Sequence, residues 1–101
     1  KITNNRIKSF GYPALTIWED SKTLDLLVAN NSLSADFSKG GSGPYYHPYA
    51  IFSRSTVHDA LFFSNEIYAK KGKSIYLLGQ NIALIENKID ETQPPIIIDR
   101  E

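Results

Sequence analysis

The stretch from Ser53 to Leu78 constrains the fold of this chain more than any other segment. Val57, Ala60, Leu61, Ser64, Ile67 and Tyr68 recur at a helical period and make one stripe. Ser55 or Thr56 opens it. Thr56 and Asp59 have the spacing of a capping box, with Asp in place of the usual Glu. Lys70 and Lys71 fall in the last turn, where cations oppose the negative helix end, and Gly72 closes it. Ser74 to Leu78 follows as a strand apolar on both faces, which places it centrally in a sheet.

The flanks supply the other elements. Ala14 to Trp18 reads as a short strand. Asp20 or Ser21 caps a helix whose stripe is Leu24, Leu27 and Val28, and Asn30-Asn31 ends it. Ser38 to Pro44, with Gly40, Gly41 and Gly43, is a loop. Tyr49 to Ser53 returns to a strand. Gly79-Gln80-Asn81 is a turn, and Ile82 to Ile85 pairs with Ser74–Leu78 as a hairpin. Pro94-Pro95 forbids helix, and Ile96-Ile97-Ile98 is a buried strand. No internal repeat is apparent. The sum is one α+β domain over residues 1–101, a mostly antiparallel sheet of about five strands with two helices packed on it.

Composition narrows the function classes. The 101 residues fit one domain. Eleven basic residues balance eleven acidic ones, which argues against a purely electrostatic binder of nucleic acid or membrane. The chain has no cysteine, so disulfides, thiolate metal sites and cysteine nucleophiles are excluded. That is compatible with the cytosol. No apolar run reaches the ~20 residues of a membrane span. The start at Lys1 instead of Met reads as a processed product or part of something longer.

One cluster has the residue types of a reaction centre: Tyr45, Tyr46, His47, Tyr49, Ser53, Arg54, Ser55 and His58. A histidine that moves a proton, beside an arginine that neutralises developing charge, suits phosphodiester cleavage. His47 or His58 with Arg54 would then make a metal-independent ribonuclease. The same tyrosines equally pave the edge of a core. The two histidines lie eleven residues apart with no carboxylate pair nearby, so no metal site is expected. Glu86-Asn87-Lys88 after Ile82–Ile85 has a nuclease-like spacing but lacks the upstream aspartate, since Asp59 falls on the expected helix. The glycine loop lacks the GK[ST] ending of a phosphate cradle.

From Trp18 onward the order of elements resembles the ADP-ribosyltransferase toxins. Thr16-Ile17-Trp18-Glu19-Asp20-Ser21 leading into Leu24–Leu33 looks like the family's first strand and helix. Ser53-Arg54-Ser55, Ala60 and Ser74-Ile75-Tyr76-Leu77-Leu78 look like its serine strand, following helix and apolar strand. Asp99-Arg100-Glu101 stands where its catalytic acid is found. The resemblance implies NAD as cofactor and a protein or nucleic-acid target. Ser53, with Ser55 and Tyr49, would brace the nicotinamide pocket, and Glu101 would stabilise positive charge as nicotinamide leaves. Arg54 and His58 complete the catalytic candidates. A domain that keeps the shape without the chemistry, or a non-catalytic module that takes a partner protein's strand along Ile96–Ile98, are the alternatives.

Overall fold

The computed structural model describes residues 1–18, 23–90 and 92–100, with the backbone alone for Thr23 and Leu24. Glu19, Asp20, Ser21 and Glu101 lie outside them. Eleven strands are found: β1 (Ile2–Thr3), β2 (Arg6–Phe10), β3 (Leu15–Ile17), β4 (Thr23–Leu24), β5 (Leu27–Ala29), β6 (Ser32–Asp36), β7 (Tyr49–Phe63), β8 (Glu66–Lys70), β9 (Lys73–Ile85), β10 (Lys88–Ile89) and β11 (Ile96–Asp99). The expected α+β fold is overturned: among the described residues there is no helix, and every strand pair is parallel.

The pairing defines a solenoid. Each strand's neighbour is the equivalent segment one coil further along the chain, so three sides are built from stacked coils. The first side carries β2, β6, β8 and β10 in that order. The second side stacks β3, the first part of β7, the first part of β9, and β11. The third side stacks β1, β5, and the ends of β7 and β9. Parallel pairing forbids a tight hairpin, so the chain must travel a full circuit before each pairing.

The core is the inside of the coils. On the first side Ile7, Leu33, Ile67 and Ile89 stack in register. On the third, Ile2, Val28, Phe62 and Leu84 do the same. Leu33, Val28 and Phe62 are fully buried, and Ile67 almost so. Burying each such side chain contributes about 1.5–3 kcal/mol.

Two features explain why a helical pattern is a coil of strands. Asp25, Asp59 and Asn81 have positive φ and form one set of corners. Asn4, Asn30, Ser64 and Glu86 form the other. A left-handed residue inserted between two alternating segments shifts the inward set by one. Val57, Ala60 and Phe62 all face inward across the corner at Asp59. Their spacing of three and then two imitates a helix face. Asp59 is therefore a corner residue, bonded by the Asn81 amide at 2.6 Å, and not part of a capping box. Asp25 makes the equivalent corner between β4 and β5, and beyond it Val28 is fully buried while Leu27 is half-buried.

The expected hairpin is likewise a single bent strand. Ser74–Leu78 and Ile82–Ile85 both belong to β9, bent at Asn81, and both pair with β7 instead of each other. Ile96–Asp99 is a strand as expected, but Ile97 and Ile98 are exposed, not buried. The strands at Ala14–Trp18 and Tyr49–Ser53 are found as β3 and the start of β7.

A repeat does exist. Asn5, Asn31, Asn65 and Asn87 follow the second set of corners and stack into a ladder. The main-chain N–H and Nδ2 of each donate to Oδ1 of the next, at 2.8 to 3.1 Å. Their separations of 26, 34 and 22 residues hide the repeat in the sequence.

Candidate functional site

The second side presents its aromatic residues outward. β3 and β7 pair with Ile17 opposite Ser53, which brings Trp18 beside Arg54. The Arg54 guanidinium carbon lies 4.5 Å from the centre of the Trp18 ring. The Tyr45 ring lies 6.5 Å from Trp18 at 20° to it. Trp18 is 53% exposed and Tyr45 70% exposed, so both present open ring area to solvent.

Tyr45 also lines a groove of about 340 Å³ with Tyr12, Tyr46, Gly40, Gly41 and Ser42. Its floor is fixed. Tyr46 packs edge-on against the buried Phe37, 6.1 Å between centres. The Gly40–Gly43 loop lies against Tyr46, and a Cβ at Gly41 would stand 2.6 Å from that ring, so glycine is needed there. The loop is anchored by Asp36, which accepts bonds from the Ser38 hydroxyl and N–H. Those two bonds hold the Asp36 carboxyl below its ordinary value.

The other predicted residues are placed differently. His47 stacks on Phe52, 4.0 Å between centres and 10° apart, and Phe52 continues to Tyr76 and Tyr49. Tyr49 is thus part of a packed aromatic stack. Nε2 of His47 and Nε2 of His58 are buried with no hydrogen-bond partner among the described residues. An imidazole nitrogen so enclosed has no path for a proton to a substrate in solvent. Arg54, the proposed companion of both, points at Trp18 instead.

Ser53 is fully buried, and its Oγ accepts the Leu78 N–H at 2.8 Å. The strand register shifts between Phe52 and Thr56, which frees that N–H from the ladder. Ser53 therefore satisfies a bulge and lines no cleft. Ser55 is half-buried just beyond it. The element order that carried the likeness to ADP-ribosyltransferases, a serine strand, a helix and an apolar strand, is replaced by parallel strands among the described residues.

Glu86-Asn87-Lys88 forms a corner: Glu86 has φ 53°, Asn87 ends the ladder, and Lys88 pairs beside Glu66. Among the described residues no group of three or more histidine and carboxylate side chains could hold a metal ion. Among the described residues no helix is long and apolar enough to cross a membrane. Trp18 and Tyr12 are site residues that the sequence did not disclose, since the meeting of Trp18 with Arg54 and of Tyr12 with Tyr45 depends on the pairing of distant coils. No protein-family model matches the chain, and no curated protein or solved structure is significantly similar to it.

Proposed function

We propose that this solenoid is a saccharide-binding module whose site is the Trp18–Tyr45 platform, the Arg54 guanidinium and the adjoining tyrosine groove. The observation that carries the reading is the contiguous exposure of Trp18, Tyr45 and Tyr12, at 53%, 70% and 71%. Single exposed aromatics are ordinary, whereas a contiguous set marks an interaction surface.

The chemistry favours a sugar. A pyranose has one face of C–H groups with slight positive charge, which matches the negative face of an aromatic ring. Its equatorial hydroxyls need donors and acceptors at the rim. The Tyr12, Tyr45 and Tyr46 hydroxyls, Ser42 and the glycine backbone supply them. Arg54 adds a forked set of donors suited to hydroxyl or carboxylate oxygens. A nucleic-acid strand would stack on the same rings but needs a track of cations along its phosphates. Among the described residues of the platform and groove, Arg54 is the single cation.

Trp18 is the one tryptophan of the chain, so its fluorescence reports the site directly. Titration with hexasaccharides of β-1,4-glucan and of α-1,4-galacturonan should change its emission for at least one of them. Trp18→Phe should retain binding by isothermal calorimetry. Tyr45→Ala should weaken it about tenfold, or ~1.4 kcal/mol. Arg54→Ala should weaken the galacturonan more than the glucan. A silent Trp18 with both sugars, or a tighter response to oligo-dT than to either, would overturn the assignment.

A further inference from the structure

We infer that the cleft of Tyr68, Lys70, Lys71 and Lys73 is a subsite for an anionic sugar residue, uronate or sulfated, of the saccharide that the tyrosine groove takes. The inference rests on the saccharide reading for the kind of ligand, but the cleft belongs to other coils and has its own reporter.

The cleft holds about 620 Å³. It lies at the corner between the first and second sides, where the chain leaves β8 and enters β9. Gly72 fixes that corner. A Cβ there would stand 2.6 Å from the Phe37 ring and 2.7 Å from the Pro48 carbonyl oxygen. The Phe37 N–H donates to the Lys70 carbonyl and the Lys73 N–H to the Pro48 carbonyl, both at 2.8 Å. Lys70, Lys71 and Lys73 are thus held around one tight turn, and all three are exposed.

Two features of the cleft are not required by the fold. Among the described residues, eight non-glycine positions have positive φ; seven hold Asn, Asp, Ser or Glu, and Lys71 is the one cation. A bare corner favours asparagine or aspartate, whose short side chains tolerate the left-handed conformation. The ammonium groups are also unpaired: Lys70, Lys71 and Lys73 make no ion pair among the described residues. Asp90 lines the cleft but accepts from the Thr92 N–H and hydroxyl, at 2.9 and 2.8 Å. Asp36 is bonded by Ser38, with Lys70 a lesser influence. Three ammonium groups therefore stand with one carboxylate in the cleft, in a chain of zero net charge.

Charge alone would suit any anion, and Tyr68 narrows the choice. Its ring is 53% exposed in the same cleft. A uronate can lay its C–H face on such a ring while its carboxylate takes charge-assisted bonds from the lysines. The cleft is also continuous with the groove. In Tyr45-Tyr46-His47-Pro48, the two tyrosines line the groove and the proline lines the cleft. Phe37 touches both sides of that boundary, edge-on to Tyr46 and against Gly72. Neighbouring coils lie about 4.8 Å apart, so two coil steps put the sites on the order of 10 Å apart along one edge. A short oligosaccharide spans that. A nucleic-acid strand would need cations along the whole track, and the groove supplies none among its described residues.

Two reporters read the two sites separately: the Gly72 amide resonance for the cleft and Trp18 emission for the platform. The titrants are hexasaccharides of α-1,4-galacturonan, of sulfated β-1,4-glucan and of plain β-1,4-glucan, with inorganic sulfate as the simple anion. The Gly72 resonance should move with the galacturonan or the sulfated glucan, and the tighter of the two names the anion. Lys71→Gln combined with Lys73→Gln should weaken that sugar about tenfold through the loss of bonds to a charged group, while keeping the parent's circular dichroism. Tyr68→Ala should weaken it about threefold or more. A Gly72 resonance silent to both acidic sugars would overturn the inference, whatever Trp18 reports. So would a double variant that binds as the parent does, inorganic sulfate bound as tightly as the sugars, or a tighter response to oligo-dT. A silent Trp18 beside a responding Gly72 would sink the platform and not the cleft.

Discussion

Gly79 is the residue on which the fit between coils depends most. Its φ is +150°, and a Cβ would collide with the Val57 carbonyl oxygen, the backbone of the coil beneath. A turn is expected over Gly79-Gln80-Asn81; β9 instead runs through it and bends at Asn81, and glycine is needed at 79 because β9 passes too close to β7 for any side chain. Gly79→Ala should destabilise the protein by about 3 kcal/mol or more, measured by urea denaturation, because backbone cannot yield as a side chain would. Trp18 and Ser53 show the same limit. Ser53 reads as a strand residue and is one, whereas Trp18, expected to end a strand, lies just beyond β3. That one faces solvent beside Arg54 and the other fills a bulge follows from a pairing register across 36 residues, which local pattern does not encode.

Among the elements, the asparagine ladder fixes the bend, as a hairpin turn does elsewhere. Asn65 is nearly fully buried at its centre. Its Nδ2 donates to the Val28 carbonyl and to Asn87, and its Oδ1 accepts from the Asn31 N–H and Nδ2. Asn65→Ala would strand a buried N–H and a buried carbonyl, each costing about 1–3 kcal/mol. A loss of roughly 3 kcal/mol or more is expected in thermal or chemical unfolding. Asn5→Ala, at the exposed end, should cost less than about 1.5 kcal/mol. The strands themselves were partly readable. Short apolar runs at Leu15–Ile17, Tyr49–Ser53 and Ser74–Leu78 are strands because β-branched and aromatic residues alternate within them. Where the two helices are expected, Asp25 and Asp59 in left-handed conformation join strand segments, and the change of phase gives a period of two the look of one near 3.6.

At the scale of the whole molecule, every strand pair joins segments twenty or more residues apart, the shortest being Tyr76 with Ile96. No pairing can form before a full coil has closed, so loop-closure entropy is met early and repaid late. Stopped-flow refolding should therefore take milliseconds to seconds, and a microsecond phase accounting for most of the amplitude would contradict this topology. The stacked coils also explain why a chain without cysteine holds together. Each inner coil places one residue in each apolar row, packed against the coil on either side.

The sequence by itself determined the absence of disulfides and the positions of the short apolar runs at Leu15–Ile17, Tyr49–Ser53 and Ser74–Leu78. Composition and local alternation are enough for those. Whether the runs pair as neighbours or one coil apart was decided by tertiary structure. The corner residues and the stacked asparagines choose parallel pairing, and their unequal spacing leaves no period to read. The platform of Trp18, Tyr45 and Arg54 belongs to that second class, because residues 18, 45 and 54 come together only when two coils lie in register.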